Sequence, residues 1–421
     1  MYYCNVFCNN LIFSINFNFQ NNCILMNILT IPYIVGGLSH FIPLYVLQQR
    51  YIKKNIEVKN VFLVNSTIQN FLMMQGVQSV PIDYDYAVED NSLTFENISS
   101  MRECLIEMER EAYDKVEPSL IIEDNSFLSP LIAEKNNVPR ISIQRTGTFR
   151  SIDERYRNSN HVHSIQKGHY NEKSSFLLNL SDIGSTAFND NPDFYFLQQY
   201  VKPKAKIIPG IPTIERLPEN IADRESYFYS GPLLILDKPS KELSVKLDEF
   251  LDNNKQKPIV FITTGTIDRT PIENFIEFFV KRNYAVITTC NNEINEAYKQ
   301  AIFYNKLLPL NYICEISNLV IHQCGSGMYH YPIMNRVPFL TIGTLCYDRE
   351  DIAQRLQELG VSGHIPHPDD NPDYWDIFLN MVNRFEKNTL IDFDMMDRLR
   401  LEINETSLNF QMEKVIQYAL L

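Results

Sequence analysis

The sequence predicts an α/β protein with two Rossmann-like domains, each built on a parallel sheet. Three observations support this fold class: a chain of 421 residues, strand and helix patterns that alternate in both halves, and glycines that directly follow several strand patterns. At roughly 150 residues per domain, two or three domains are expected. Two domains fit the two alternating series best.

The first series begins at residue 26. An apolar run over Met26–Val35 ends at Gly36 and Gly37, and Leu44, Leu47 and Tyr51 then recur at helical spacing. Further patterns alternate as strand, helix, strand, helix and strand over residues 61–64, 68–74, 79–82, 101–115 and 119–123. We therefore expect the first domain to span residues 26–225.

Prolines accumulate over residues 203–239, which predicts a connection between domains. Beyond it, strands are predicted at 259–263, 285–289, 319–322 and 339–342, with helices at 271–281 and, led by glycine, at 325–335. We assign residues 226–400 to the second domain. Residues 395–421 carry apolar side chains at helical intervals, and their last part, 401–421, is expected to end the fold as a helix.

The first 25 residues differ from the rest because asparagines interrupt every apolar run. A signal peptide needs a basic start and an unbroken apolar run, and a membrane-spanning helix needs about 20 apolar residues. We interpret residues 1–25 as a disordered or spurious leader. A tail that makes a peripheral membrane contact through residues 11–19 remains the alternative.

Charge and cysteine usage exclude several classes of function. A net charge of -13 argues against a nucleic-acid partner, because binding to phosphates depends on clustered Lys and Arg. The eight cysteines show no paired metal-ligand spacing, which favours a reduced, cytoplasmic protein. His161, His163 and His169 lie in a polar stretch without Cys or carboxylate partners, so we predict no metal site.

Three segments, in this order, resemble the UDP-glycosyltransferase superfamily. They are Ser39–Leu44, which resembles the family's His-x-x-Pro loop, Pro258–Thr266, which resembles its Gly-Ser/Thr strand end, and a donor-binding stretch containing Leu307–Leu310, Asn318–Gly327, Arg336–Pro338, Asp348, Ala353 and Gly360–Val361. The resemblance implies the two-domain GT-B fold, with the C-terminal helix crossing back onto the first domain. It also implies an enzyme whose first domain binds an acceptor and whose second domain binds a nucleotide sugar.

The resemblance assigns the catalytic roles to His40 and Asp124. In an inverting transfer, His40 would remove the proton of the acceptor hydroxyl, a role that imidazole suits near neutral pH. Asp124 would orient this base and favour the imidazolium. Glu123 adjoins Asp124, and a cap or a loop position is the alternative reading of the aspartate.

The resemblance places the donor on the second domain. Backbone N–H groups at Gly325, Ser326 and Gly327, at the amino terminus of a helix, would hold the diphosphate without a metal or other cofactor. Thr266 would add a hydroxyl, and Asp348 would bind hydroxyls of the sugar.

This chain departs from the family pattern near the phosphates. Gln323 stands where the family has a phosphate-contacting histidine, and His322 lies one place earlier, so both are donor-site candidates. Met328 and Tyr331 replace a hydroxyl residue and an acid. Arg349 follows Asp348 in place of the usual glutamine, where it either favours an acidic sugar or pairs with Glu350 on the surface.

Three functions from different classes follow. The first is an inverting glycosyltransferase that moves a sugar from a nucleoside-diphosphate sugar, UDP-linked as the resemblance implies, to a hydroxyl of a hydrophobic small molecule or lipid. The second is a GT-B enzyme of other sugar-nucleotide chemistry, such as an epimerase. The third is a catalytically silent binding protein, which Gln323 and Met328 favour.

Overall fold

The computed structural model describes the chain over most of the second half and the sheet of the first. The described residues are 26–32, 38–52, 58–64, 72–73, 77–81, 110–124, 133, 136–146, 203–217, 223–264, 272–290, 296–325, 327–344 and 347–421. The predicted leader at 1–25, the histidines between 161 and 169, Gly36 and Gly37, and most of the predicted helices at 68–74 and 101–115 lie outside these ranges.

The first sheet is parallel throughout its described strands, whose order is β3-β2-β1-β4-β5-β6-β7. The described side chains of β4, β5 and β6 are all buried, as expected for central strands of a parallel sheet that is covered on both faces. The strands are β1 Met26–Ile31, β2 Val58–Val64, β3 Gln78–Pro81, β4 Leu120–Asp124, β5 Arg140–Ile143, β6 Ala205–Ile208 and β7 Tyr227–Tyr229.

The second sheet is also parallel, with the strand order β10-β9-β8-β11-β12-β13. Its strands are β8 Ile259–Thr263, β9 Ala285–Thr288, β10 Ile302–Tyr304, β11 Leu319–His322, β12 Phe339–Ile342 and β13 Gly363–Ile365. Two doubly wound parallel sheets confirm the predicted fold class.

Helices cover the sheets. They are α1 Leu38–Leu47, which continues into a π-helical turn over Gln48–Ile52, α2 Lys241–Asn253, α3 Glu273–Lys281, α4 Leu310–Ile316, α5 His330–Asn335, α6 Tyr347–Glu358, α7 Tyr374–Glu386, α8 Phe393–Asn409 and α9 Met412–Leu420. None of the described helices is long and apolar enough to cross a membrane.

The last helix returns to the first sheet. Met412, Val415, Ile416 and Ala419 of α9 are buried in the same apolar cluster as α1 and the inward residues of β1, β4, β5 and β6. Helix α8 packs instead with the second sheet, through Met396, Leu399 and Ile403. This arrangement confirms that the C-terminal helix crosses back to the first domain.

The segment predicted as a connection, residues 203–239, contains two strands. Strand β6 lies between Pro203 and Pro209, and β7 pairs with β6 in the first sheet, although it follows the domain boundary expected at 225–226. The first sheet therefore extends past that boundary. Proline is compatible with a strand when it lies at the strand's end, which is why the proline count misled the prediction.

The predicted glycine-led helix over residues 325–335 begins later than expected. Its helical part is α5, which starts at His330, and residues 327–329 form tighter turns in which the Met328 N–H donates to the Gly325 oxygen (2.9 Å). Pro332 explains the shift, because proline has no N–H for an intrahelical bond and is tolerated only in the first turn.

Candidate active site

The candidate residues lie at the points where the strand order of each sheet reverses. In the first sheet the reversal falls between β1 and β4, and in the second between β8 and β11. Open α/β sheets bind ligands outside the carboxyl ends of the strands at such points. Asp124 ends β4, His322 ends β11, and α1, which carries His40, follows β1.

His40 and Asp124 form a pair, although 84 residues separate them in the sequence. The Nδ1 atom of His40 lies 3.1 Å from Oδ1 of Asp124. The His40 side chain is 20% exposed and that of Asp124 is fully buried. A histidine whose Nδ1 is bonded to a carboxylate has the arrangement of an oriented general base, in which Nε2 is the atom that takes up a proton.

Arg145 is a second partner of Asp124 that sequence reasoning missed. It follows β5, the neighbour of β4, and its guanidinium makes two bonds to the carboxylate, of 2.5 Å to Oδ1 and 2.9 Å to Oδ2. Burial by itself raises the pKa of Asp124, but Arg145 and then His40 outweigh it, so the pKa lies below its ordinary value. Asp124 is therefore an ionised carboxylate shared between a base and a cation.

A cavity of about 260 Å³ lies between the two halves. Much of its wall is apolar and comes from α1, the connection and the start of α4, as Ile42, Pro43, Leu233, Leu234, Leu308 and Leu310. Its polar lining comes from strand ends and loops of the second half, as Thr263, Thr264, Thr289, Lys306, His322, Gln323 and Arg349. An apolar cleft with a few convergent polar groups is typical of a small-molecule site.

Gly325 and Gly327 both line this cavity but differ in their surroundings. A Cβ atom added at Gly325 would meet no atom within 4 Å, whereas one at Gly327 would lie 3.0 Å from Cδ2 of Leu234. Gly325 therefore leaves room for a ligand, and Gly327 makes room for the connection. Because α5 begins only at His330, the prediction that Gly325 and Gly327 stand at the amino terminus of a helix is wrong, and a turn forms this wall instead.

His322 and Gln323 both line the cavity. The Cys324 N–H donates to Nδ1 of His322 (2.9 Å), which places the proton of the neutral ring on Nε2, and no described residue accepts from that atom. Burial lowers the pKa of His322 to about 3, so the ring is a neutral donor. A histidine therefore still lies in the wall of the cavity, although it stands one residue earlier than in the family pattern.

Of the other residues predicted to bind the donor, only some lie within the described part of the chain. Thr266 and Ser326 lie outside the described residues. Asp348 lies in the first turn of α6, and its side chain is not described. Arg349 lines the cavity. Glu350 accepts from the Thr344 N–H (2.6 Å) and pairs with Nε2 of His364 (2.9 Å).

Several residues that line the cavity were not predicted, although their positions at strand ends or beside a motif could have indicated them. Thr263, Thr264 and Thr289 stand at or just after the ends of β8 and β9, where the strand prediction was correct, and Lys306 precedes the Leu307–Leu310 motif. In the described part of the chain, no group of three His, Cys, Asp or Glu side chains could hold a metal ion.

Comparison with known proteins identifies the fold. No protein-family model matches this sequence, and no curated protein matches it. A solved structure of UDP-glucose: anthocyanidin 3-O-glucosyltransferase in complex with UDP has a TM-score of 0.64 at 13% identity, covering 93% of this chain and 98% of that chain. Arabidopsis thaliana UGT89C1 complexed with quercetin gives 0.63 at 14%, covering 93% and 99%. Spinosyn forosaminyltransferase SpnP gives 0.62 at 17%, covering 94% and 99%.

The chain has the GT-B fold. Both parallel sheets and the returning helix α9 belong to this GT-B architecture, and the cavity lies in the cleft between its two halves.

Proposed function

We propose that this protein is an inverting glycosyltransferase that moves a sugar from a nucleoside-diphosphate sugar, UDP-linked, to a hydroxyl of a small-molecule or lipid acceptor. The observation that carries the proposal is the His40–Asp124 pair, because His40 lies on α1 and Ile42 and Pro43 of that helix line the same cavity as Gly325 and His322. The GT-B neighbours are glycosyltransferases, and two of them were solved in complex with UDP.

The base end of the reaction depends on His40. Its Nε2 takes the proton of the acceptor hydroxyl while the acceptor oxygen attacks the anomeric carbon, and the bond from that carbon to the phosphate oxygen breaks. The Asp124 carboxylate holds the ring through Nδ1 and favours the cation formed there. Arg145 keeps this carboxylate ionised.

The donor end depends on groups that can stabilise the leaving diphosphate. His322 offers an N–H from Nε2, the threonine hydroxyls at the ends of β8 and β9 line the same wall, and Lys306 and Arg349 add positive charge. Donors fixed in advance around a developing negative charge lower a barrier without reorganising. The apolar lining from α1 and the connection suits a hydrophobic acceptor.

The test is turnover with a panel of nucleotide sugars and hydroxyl acceptors. His40→Ala removes the base and no donor contact, so kcat should fall roughly 10²- to 10⁴-fold, while the dissociation constant of UDP, measured by calorimetry, stays unchanged. Asp124→Asn should lower kcat in the same direction. Unchanged turnover in His40→Ala would sink the mechanism, and no UDP binding by the wild type at millimolar concentration would sink the donor assignment.

Arg145 favours a second candidate, a silent nucleotide-sugar-binding protein. A guanidinium that contacts both oxygens of Asp124 offsets the negative charge that would otherwise favour a protonated His40. This candidate predicts that the wild type binds UDP but transfers no sugar to any acceptor in the panel.

A further inference from the structure

A single buried carboxylate joins the base side of the cleft to its donor side. Oε2 of Glu215 accepts from the N–H (3.1 Å) and the hydroxyl of Thr146, and Oε1 accepts from the Tyr329 hydroxyl (2.6 Å). Thr146 follows β5 of the first sheet, whereas Tyr329 belongs to the turn between β11 and α5 of the second. The two oxygens of one side chain thus hold two different domains.

The hydrogen bonds are protected from water. Glu215 is 4% exposed, Thr146 1% and Tyr329 0%. Burial first, and then the neighbouring Glu215, raise the pKa of Tyr329 well above its ordinary value, so the phenol remains a donor. Removing one partner of a buried hydrogen bond leaves the other unsatisfied, which costs more than the bond contributes in net stability.

The loop that carries Glu215 is itself fixed to both halves. The Arg355 Nε of α6 donates to the Thr213 oxygen (3.1 Å), and Oε1 of Glu402 on α8 accepts from the Thr213 N–H (3.1 Å). The Tyr229 hydroxyl of the first sheet donates to the main-chain oxygen of Glu215 (2.6 Å). The carboxylate therefore has a defined position from which to hold its two partners.

Each partner is adjacent to a residue of the candidate active site. Thr146 follows Arg145, which holds Asp124 and through it His40. Tyr329 follows Met328, and both Met328 and Gly327 line the cavity. A displacement of the turn between β11 and α5, called the donor turn because it carries Gly325 and Gly327, would thus be transmitted through Glu215 to the segment that fixes the base.

We propose that Glu215 and Tyr329 are positioning residues that set the His40–Asp124 pair relative to the donor turn. They touch neither reacting group and act through Thr146 and Arg145. The proposal rests on the proposed function for its catalytic consequence, but the coupling between the domains stands on the contacts alone. A misplacement of about 1 Å between a base and its substrate can reduce turnover by roughly 10²-fold.

The coupling is tested first without ligand. Tyr329→Phe removes one hydroxyl and keeps the ring, and Tyr229→Phe is the matched control, because its hydroxyl bonds the main-chain oxygen of the same glutamate. Amide hydrogen exchange of Thr146 should accelerate on the order of tenfold in Tyr329→Phe and remain near the wild-type rate in Tyr229→Phe. Equal exchange of Thr146 in the two variants overturns the proposal.

The catalytic consequence is tested by a double-mutant cycle with His40→Ala. If Tyr329 acts through the base, Tyr329→Phe lowers kcat on the order of tenfold in the wild type and less than about twofold in the His40→Ala background. If Tyr329→Phe lowers kcat by the same factor with and without His40→Ala, Tyr329 does not act through His40. That result would overturn the positioning role. Glu215→Gln should reproduce the kcat loss, with a smaller change in the KM of the donor.

Failure of the proposed function has a different signature. If the wild type transfers no sugar or binds no UDP, the proposed function fails, and the exchange rates of Thr146 still decide whether Glu215 couples the domains. If the wild type is active and the three proteins exchange Thr146 equally, the proposed function stands and the coupling fails.

Discussion

Gly325 and Gly343 both follow strands of the second sheet, yet a side chain added at each would meet different surroundings. A Cβ atom at Gly325 would point into open space of the cavity, whereas one at Gly343 would overlap the main-chain nitrogen of His367. The first glycine leaves space for a ligand, and the second allows two loops to approach. Sequence position alone could not separate these two uses.

The different surroundings of the two glycines predict different effects of adding a side chain. Gly325→Val should abolish UDP binding measured by calorimetry, because its methyl groups occupy the cavity, while the midpoint of thermal unfolding stays close to the wild-type value. Gly343→Ala should lower that midpoint, because overpacking a buried contact costs typically 1–3 kcal/mol. A Gly325→Val protein that binds UDP as the wild type does would exclude this turn from the donor site.

The sequence predicted those site residues that belong to a recognisable family motif. His40 and Asp124 were assigned through the resemblance, and the structure brings them within hydrogen-bond distance. Arg145 and Glu215 could not be found in this way, because their roles depend on which strands are neighbours and on contacts between the domains. Pairing of β4 with β5 brings Arg145 to Asp124, and no local pattern encodes that pairing.

Helix α9 is the element that ties the chain's end to the first domain. Val415 and Ile416 are 0% and 3% exposed against α1 and the first sheet, whereas Leu420 on the same helix is 46% exposed. The apolar face of a short helix is stabilised by the surface it covers rather than by its own hydrogen bonds.

Substitutions along α9 should therefore differ sharply. Ile416→Ala should lower the free energy of unfolding by about 2–5 kcal/mol, the range for large-to-small changes in a core. Leu420→Ala removes a side chain of similar size from a partly exposed site and should cost well under half as much. Urea unfolding followed by circular dichroism measures both, and equal losses would contradict the packing of α9 on the first sheet.

At the same scale, strands were predicted better than helix starts. The bounds of β8, β11 and β12 agree with the apolar runs, since a buried parallel strand is a continuous apolar segment. The start of α5 was misplaced because Pro332 restricts where helical hydrogen bonding can begin. Strands β6 and β7 were missed because each is short and lies in a proline-rich segment.

Two buried histidines make the stability of the whole molecule depend on pH. His322 and His330 are fully buried, and burial lowers the pKa of each to about 3, with the Gly327 backbone partly opposing the shift at His330. In the unfolded chain each ring titrates near its ordinary value of about 6.5. Above that pH neither state binds the proton; below it only the unfolded state does, until the pH falls to about 3.

The free energy of unfolding should therefore decrease as the pH falls from about 6.5. Each histidine lowers the free energy of unfolding by about 1.4 kcal/mol at pH 5.5, because a difference of one bound proton between the unfolded and folded states changes that free energy by about 1.4 kcal/mol per pH unit. This pH lies above the range in which most carboxylates titrate. Urea unfolding of the ligand-free protein at pH 7.5 and 5.5 measures the sum. His330→Phe keeps a flat ring but has no titrating nitrogens. The difference between the stability loss of the wild type and that of the variant is therefore the contribution of His330. If the variant loses as much stability as the wild type between these pH values, the buried neutral state of His330 is wrong.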